Sequence, residues 1–398
     1  MQETETKETK PLIYLDNSAT TALCDEARAW MAEAMDAYGN PSSLHTAGLA
    51  AHALLEKSRA ALAQALGIRR PVPGQLLFTA CGTEANNTAL LGGIYSKKRR
   101  TANRVITTDS EHPSVARVMD FLEERGFDVV RLHTAGGVID LDEAQTAMQE
   151  ATPLAVSVML VNNETGARYD VESLFAMAKR YNPDAITHCD AVQGLYKCHF
   201  SPERLHADFV SVSAHKIHGP KGVGALYVSP EILRARRLVP YLMGGGQESG
   251  FRSGTENMIG IAGFAGALKA GLSTLDADIG TMEDLRTYAA ERLEAIGLHC
   301  NLPRGAHAPH ILSVTLPSIR SETMLHALSG EGICVSAGSA CSARSNKTSG
   351  TLLAFGLTPE QADSTLRISF CAQNTRAQVD ALVDALAAGI NRLVRRTH

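Results

Sequence analysis

Between residues 76 and 228, short apolar runs alternate with longer segments whose apolar residues recur every three to four positions. The runs read as strands and the longer segments as helices. LLFT at 76–79 is followed by a small-residue turn at 80–82 and by a helix for which Thr83 is the expected N-cap. RVITTDSEH, FDVVRLH and PLAVSVM then alternate with the helical SVARVMDFLEERG and DLDEAQTAMQE. Further strands are predicted at 185–189, 208–213 and 224–228, and two amphipathic helices, 25–38 and 49–66, precede the series. Alternation of this kind implies an α/β fold with a mostly parallel sheet covered by helices.

Beyond a helical region that starts at 259, the texture changes. A helix at 282–296, the strand HILSVTLP, a helix at 321–328, the strands ICVSAG and TLRISF, and a last helix at 376–394 predict a smaller α+β unit packed on the first.

Bulk composition fits this picture. A chain of 398 residues with 44% hydrophobic and 20% charged content can bury a large core. A net charge of −4 argues against a nucleic-acid or membrane-surface partner held by charge alone. The one basic run, 97–100, falls where a helix should end and reads as a solvated C-terminal turn. The charged start MQETETKETK reads as a disordered tail, and neither a signal peptide nor a membrane span is expected. Eight cysteines without C-x-x-C pairs indicate neither a metal site nor a disulfide framework, which makes the cytosol (a cytoplasmic location) the default compartment.

Candidate chemistry gathers at turns and strand ends. In ADFVSVSAHKIHGPKGVGALYV, Lys216 sits between two strands, flanked by His215 and His218 and followed by glycines and a proline that hold a non-helical path. Such a turn presents an amine to a cavity, where burial and a neighbouring cation favour the neutral nucleophile of Schiff-base chemistry. A surface lysine in a Gly-rich hairpin fits the same stretch. Ser213 and His215 can donate to an anion. Gly82 and Thr83 open a helix after a strand, where free N–H groups and the helix dipole favour a phosphate. Glu111 and His112, the Asn162, Asn163 and Glu164 run, and Asp190 with Gln193 all follow strands, and ligand crevices in open α/β sheets lie at those carboxyl ends. The Gly-rich loop 243–257, with Arg252 and Thr255, suits oxyanions. His45, in the turn-rich loop 39–48, reads equally as a cavity wall or as part of a connector. Cys341 lies in a small-residue loop, 336–349, with no hydrophobic run around it; an exposed reactive thiol and an ordinary surface cysteine both fit.

Ten strings follow one another over nearly the whole chain: YLDNSATT, GNPSSLH, FTACGTEANN, the EH of Glu111 and His112, VNNETG, DAVQ, SAHKIHGPKG, GGGQE with RSGT, GSAC and LRISF. In this order they resemble the NifS/IscS-like cysteine desulfurases, members of the class V aminotransferase group of fold-type-I pyridoxal-phosphate enzymes. The resemblance implies a large cofactor-binding domain at 24–274 with a mostly parallel seven-stranded sheet between helices. It also implies a small α+β domain at 275–398 that carries the cysteine loop, and an N-terminal tail and joining segment at 1–23. Lys216 would carry pyridoxal 5'-phosphate as a Schiff base. Asp190 would pair with the ring nitrogen, Gln193 and Asn163 with the ring oxygen, and His112 would stack on the ring. Gly82, Thr83, Ser213 and His215 would hold the phosphate, joined by Thr255 from a second subunit, so a homodimer is implied. Arg367, with Asn163, would bind the substrate carboxylate.

The implied reaction converts L-cysteine to L-alanine. Lys216 removes the α-proton, His112 serves as acid/base for the thiol protons, and the Cys341 thiolate takes the substrate sulfur as a persulfide. An acceptor protein of iron–sulfur cluster assembly or tRNA thiolation would receive that sulfur. Cys81 is a departure, since many members of the family have glycine there. A selenocysteine lyase or another class V aminotransferase-like enzyme would share the cofactor set, whereas a non-enzymatic sulfur carrier would need none of Lys216, Asp190, His112 and Arg367.

Overall fold

The structure, a computed structural model, describes residues 12–96, 102–338 and 348–394. Cys341 and the basic run at 97–100 lie outside the described residues.

The chain opens with a short strand, β1 (Ile13–Tyr14), and two helices, α1 (Asp25–Asp36) and α2 (Thr46–Ala65). Next come β2 (Leu76–Thr79), α3 (Gly82–Ile94), β3 (Arg104–Thr108), α4 (Pro113–Glu123), β4 (Asp128–Leu132), α5 (Leu141–Glu150) and β5 (Pro153–Met159). They are followed by α6 (Val171–Tyr181), β6 (Ile186–Asp190), β7 (Phe209–Ser213) and β8 (Gly224–Val228). Strands β2 to β8 form one seven-stranded sheet in the order β2-β8-β7-β6-β5-β3-β4. Only β8 runs antiparallel to its neighbours. This is the mostly parallel α/β sheet expected from the sequence.

Both faces of the sheet are covered, which is why its strands are apolar almost throughout. Leu77, Phe209 and Leu226 pack with Leu90 of α3 and Met119 of α4. Their neighbours in sequence, Leu76, Val210 and Ala225, turn to the other face, against Leu62 of α2 and Phe175 of α6.

After α7 (Pro230–Arg234) the chain enters α8 (Met258–Ala295). The helices predicted at 259–277 and 282–296 are one helix of 38 residues, roughly 57 Å long at 1.5 Å per residue. Ser273, Thr274 and Asp276 are exposed there, so the apolar stripe lapses without the backbone breaking. By length and hydropathy this is the one helix among the described residues that could cross a bilayer. Its apolar side is instead used in two cores, Ile261, Phe264 and Leu268 in the first and Met282, Leu285 and Leu293 in the second.

The second core is built by β9 (His299–Cys300), β10 (Ile311–Thr315), α9 (Ser321–Gly330), β11 (Ile333–Cys334), α10 (Gly350–Phe355), α11 (Pro359–Asp363), β12 (Thr365–Ser369) and α12 (Arg376–Val394). Strands β12, β10 and β9 make an antiparallel sheet whose Leu312, Val314, Leu366 and Ile368 pack with Leu382 and Leu386 of α12. The N-terminal segment joins the two cores. β1 pairs parallel with β11, Leu15 enters the second core, and Thr21 N–H then donates to the His215 carbonyl at 2.9 Å.

Candidate active site

The carboxyl ends of β5, β6 and β7 and the first turns of α3 and α4 surround one cavity of about 260 Å³. Gly82, Thr83, His112, Asn163, Asp190, Gln193, Ser213, His215, Lys216 and Arg367 all line it. Thr255 does not; it is exposed on the loop 243–257. His45 is also elsewhere, as the N-cap of α2, where its Nδ1 accepts from Gly48 N at 3.3 Å.

The start of α3 is shaped for an anion. A Cβ on Gly82 would lie 2.8 Å from Val192 Cγ2, so only glycine passes there without a shift. The N-cap is Cys81 and not Thr83: the extended residue at the turn is Cys81, and its Sγ accepts from Glu84 N at 3.5 Å. Gly82 and Thr83 therefore fall in the first turn, whose N–H groups have no helical acceptor. Ser213 Oγ is buried with no hydrogen-bond partner among the described residues. His215 Nδ1 lies 3.2 Å from Thr20 Oγ1, and burial, with Lys216 and Lys221 nearby, pushes its pKa down to about 4. A neutral imidazole, an unpaired hydroxyl and a helix start together suit a phosphate.

Lys216 stands in the tight turn between β7 and β8, and its Nζ donates to the carbonyls of Ser18 at 2.7 Å and Ala19 at 2.8 Å. Gln193 Nε2 donates to the same Ser18 carbonyl at 2.9 Å, and Gln193 Oε1 lies 3.2 Å from His310 Nε2. Since an amide oxygen only accepts, His310 is the donor of that bond. Burial, with Lys197, Arg367 and Lys216 nearby, holds the His310 pKa well below its ordinary value. Asp190 accepts from Val192 N at 3.0 Å and from Asn86 Nδ2 at 2.7 Å.

His112 is the N-cap of α4, with Nδ1 accepting from Ser114 N at 3.2 Å. Burial lowers its pKa; Asp190 opposes that fall and Lys216 adds to it. Arg367, on β12, is 2% exposed. Its Nη1 donates to Asn163 O and its Nη2 to Asp16 Oδ1, both at 2.8 Å, while its buried Nε has no partner among the described residues. An amine, a carboxylate, an imidazole and a guanidinium thus face one small space, a set that suits a charged amino acid and a phosphate-bearing ring.

Several lining residues escaped the sequence reading. Ser18 and Ala19 act through backbone carbonyls, which leave no mark in side-chain chemistry. Asn86 lies one helical turn beyond Gly82, so its place on the cavity face of α3 follows from i, i+4 spacing. Ser114, two residues after His112, belongs to the same first turn.

The aminotransferase class-V family matches residues 13–382. The chain is similar to a cysteine desulfurase of Trichormus azollae, 36% identical over 386 residues that cover 96% of this chain and 94% of the relative. It is also similar to cysteine desulfurase IscS of Dictyoglomus turgidum, 33% identical over 385 residues, covering 96% and 95%. Among solved structures a NifS-like protein aligns with a TM-score of 0.86 at 35% identity, covering 95% of this chain and 99% of that one.

Proposed function

The chain belongs to the class-V aminotransferase family, and on that premise we propose that it is a pyridoxal-phosphate-dependent cysteine desulfurase. The observation that carries this reading is the Lys216 amine sharing one cavity with the Asp190 carboxylate and the Arg367 guanidinium. The unpaired Ser213 hydroxyl and the glycine at the start of α3 fit a phosphate, Asp190 fits a protonated pyridine nitrogen, and Lys216 fits an aldehyde. Gly82, Thr83, Ser213 and His215 would hold the phosphate, Gln193 and Asn163 the ring oxygen, and His112 the ring face. When bound, the cofactor supplies an electron sink for the pair left at the substrate α-carbon.

The protein's own groups do the rest. Arg367, with Asn163 beside it, holds the cysteine carboxylate in its planar fork. Lys216 Nζ takes the α-proton. The Cys341 thiolate attacks the substrate sulfur, the carbon–sulfur bond breaks, and the products are a persulfide on Cys341 and L-alanine.

A second copy of the chain is the expected partner. Tyr38, Leu44 and Met243 are 85%, 90% and 81% exposed, apolar surface that a second copy would cover. Thr255 of each copy would then reach the phosphate of the other. The persulfide sulfur would go to an acceptor protein of iron–sulfur cluster assembly or tRNA thiolation. A reducing cytosol suits the seven free thiols among the described residues.

Cys341→Ala tests the reading. The purified variant is expected to keep the visible absorption of bound cofactor and to lose alanine formation from L-cysteine. Undiminished alanine formation would overturn the desulfurase assignment, and protein that takes up no pyridoxal phosphate would overturn the cofactor assignment. L-selenocysteine assayed in parallel separates the lyase alternative, since turnover independent of Cys341 would favour it.

A further inference from the structure

Asn86 and Ser114 have no role in the reaction above, yet they stand between two groups that do. Asn86 Nδ2 donates to Asp190 Oδ2 at 2.7 Å and to Ser114 Oγ at 2.9 Å. Ser114 Oγ lies 2.7 Å from His112 Nδ1, and the Ser114 backbone N–H donates to the same ring nitrogen at 3.2 Å. Asn86 is 1% exposed and Ser114 8%, so water competes little for these bonds.

The direction of each bond follows from the groups themselves. A backbone N–H can only donate, so Nδ1 accepts and carries no proton. A carboxylate only accepts, so Asn86 must turn its amide nitrogen toward Asp190. Its second N–H goes to Ser114 Oγ, which leaves the hydroxyl hydrogen for Nδ1. The chain of donors therefore runs from Asn86 through Ser114 to His112. A neutral imidazole with a bare Nδ1 has its proton on Nε2.

We propose that Asn86 and Ser114 are positioning residues that hold His112 as a hydrogen-bond donor, with Nε2–H as its only ring proton. This rests on the desulfurase reading and replaces the expected acid/base role of His112 with a hydrogen-bonding one. A substrate thiol meets an N–H there and not a lone pair. Cysteine is taken as the thiolate, its proton already lost to solvent, and the Nε2–H donates to the sulfur. To become an imidazolium the ring would have to gain a proton at Nδ1, where two donors already point. The charged groups that face the ring are Asp190, which favours the imidazolium, and Lys216, which opposes it; burial outweighs both.

The test is imidazole NMR on the holoenzyme labelled with nitrogen-15 at histidine, with His112→Gln to assign the resonances. His112 is expected to stay protonated at Nε2 and bare at Nδ1 from about pH 6 to about pH 9, the span of the ordinary histidine and thiol values. A ring protonated at Nδ1, or an imidazolium within that span, would overturn the proposal. Ser114→Ala removes the hydroxyl donor and Ser114→Thr keeps it. Alanine is expected to raise the His112 pKa in the spectra and to shift the pH profile of kcat/KM, and threonine to restore both. Identical spectra and profiles in Ser114→Ala would also refute the relay. The NMR signals report the ring whether or not cysteine is turned over, so failure of the relay and failure of the desulfurase reading are separate results.

Discussion

Glu111 illustrates how burial overrides a residue's ordinary chemistry. Its Oε1 accepts from Thr108 Oγ1 at 2.8 Å and from Met159 N at 3.0 Å, while Oε2 has no partner among the described residues. Burial, opposed by those two bonds and reinforced by Asp190 and Asp109, raises its pKa from 4.5 to about 8. Between those values the native protein holds a proton that the unfolded chain has lost. Stability contributed by this site therefore falls as pH rises through that window, by at most about 1.4 kcal/mol per pH unit, and is level on either side of it. Glu111→Gln, which cannot ionise, is expected to flatten the pH dependence of urea unfolding between about pH 5 and about pH 8. An unchanged slope would mean that another group supplies it. At this scale the sequence was most informative where side-chain chemistry marks a position: Lys216, Asp190 and His112 are polar residues at strand ends or turns, whereas Arg367, in the middle of β12, was reached only through the family resemblance. It was least informative for Ser18 and Ala19, and for the cap of α3. Hydroxyl preference favoured Thr83, but Cys81 is the residue whose extended backbone, φ −173° and ψ 172°, occupies the cap position.

The loop 243–257 shows how elements are pinned. β2 is an edge strand, and its Phe78 N–H finds a partner in Glu248 Oε2 at 2.8 Å. The same carboxylate receives Arg59 of α2 at 2.9 and 3.1 Å, while Arg252 pairs with Glu84 of α3 at 2.7 Å. Glu248 and Ser249 have φ of 48° and 58°, left-handed values that non-glycine residues hold only under external restraint. Glu248→Ala would leave the Phe78 N–H without its acceptor and strip Arg59 of its bidentate partner, with only Leu76 O and Glu56 Oε1 remaining to the guanidinium. We expect a loss of about 3 kcal/mol in urea unfolding, the low end for breaking a buried pair because Arg59 is partly exposed. A loss under about 1 kcal/mol would class the contact with surface bridges. Strand–helix alternation was legible because sheet burial on both faces leaves apolar runs. The unity of α8 was not, since its solvated middle turn is polar and the helix is held by cores on either side.

At the scale of the molecule, two cores meet around one cavity, and a second copy is expected to complete it. Replacing Leu44 and Met243 together by arginine is expected to shift sedimentation from dimer to monomer and to weaken retention of pyridoxal phosphate. A dimer that survives both changes would place the interface elsewhere. The joining segment has a consequence for how the protein is made. Its residues leave the ribosome well ahead of their partners, since Leu15 N–H bonds to the Cys334 carbonyl and Asn17 N–H to that of Ser369. At about 5–20 residues per second, synthesis from Leu15 to Ser369 takes roughly 20 to 70 seconds. Until then the carbonyls that grip Lys216 are held only from the side of the large sheet, by Gln193 and through the Thr21 bond to His215. The cavity is thus finished only once β12, which carries Arg367, has been translated.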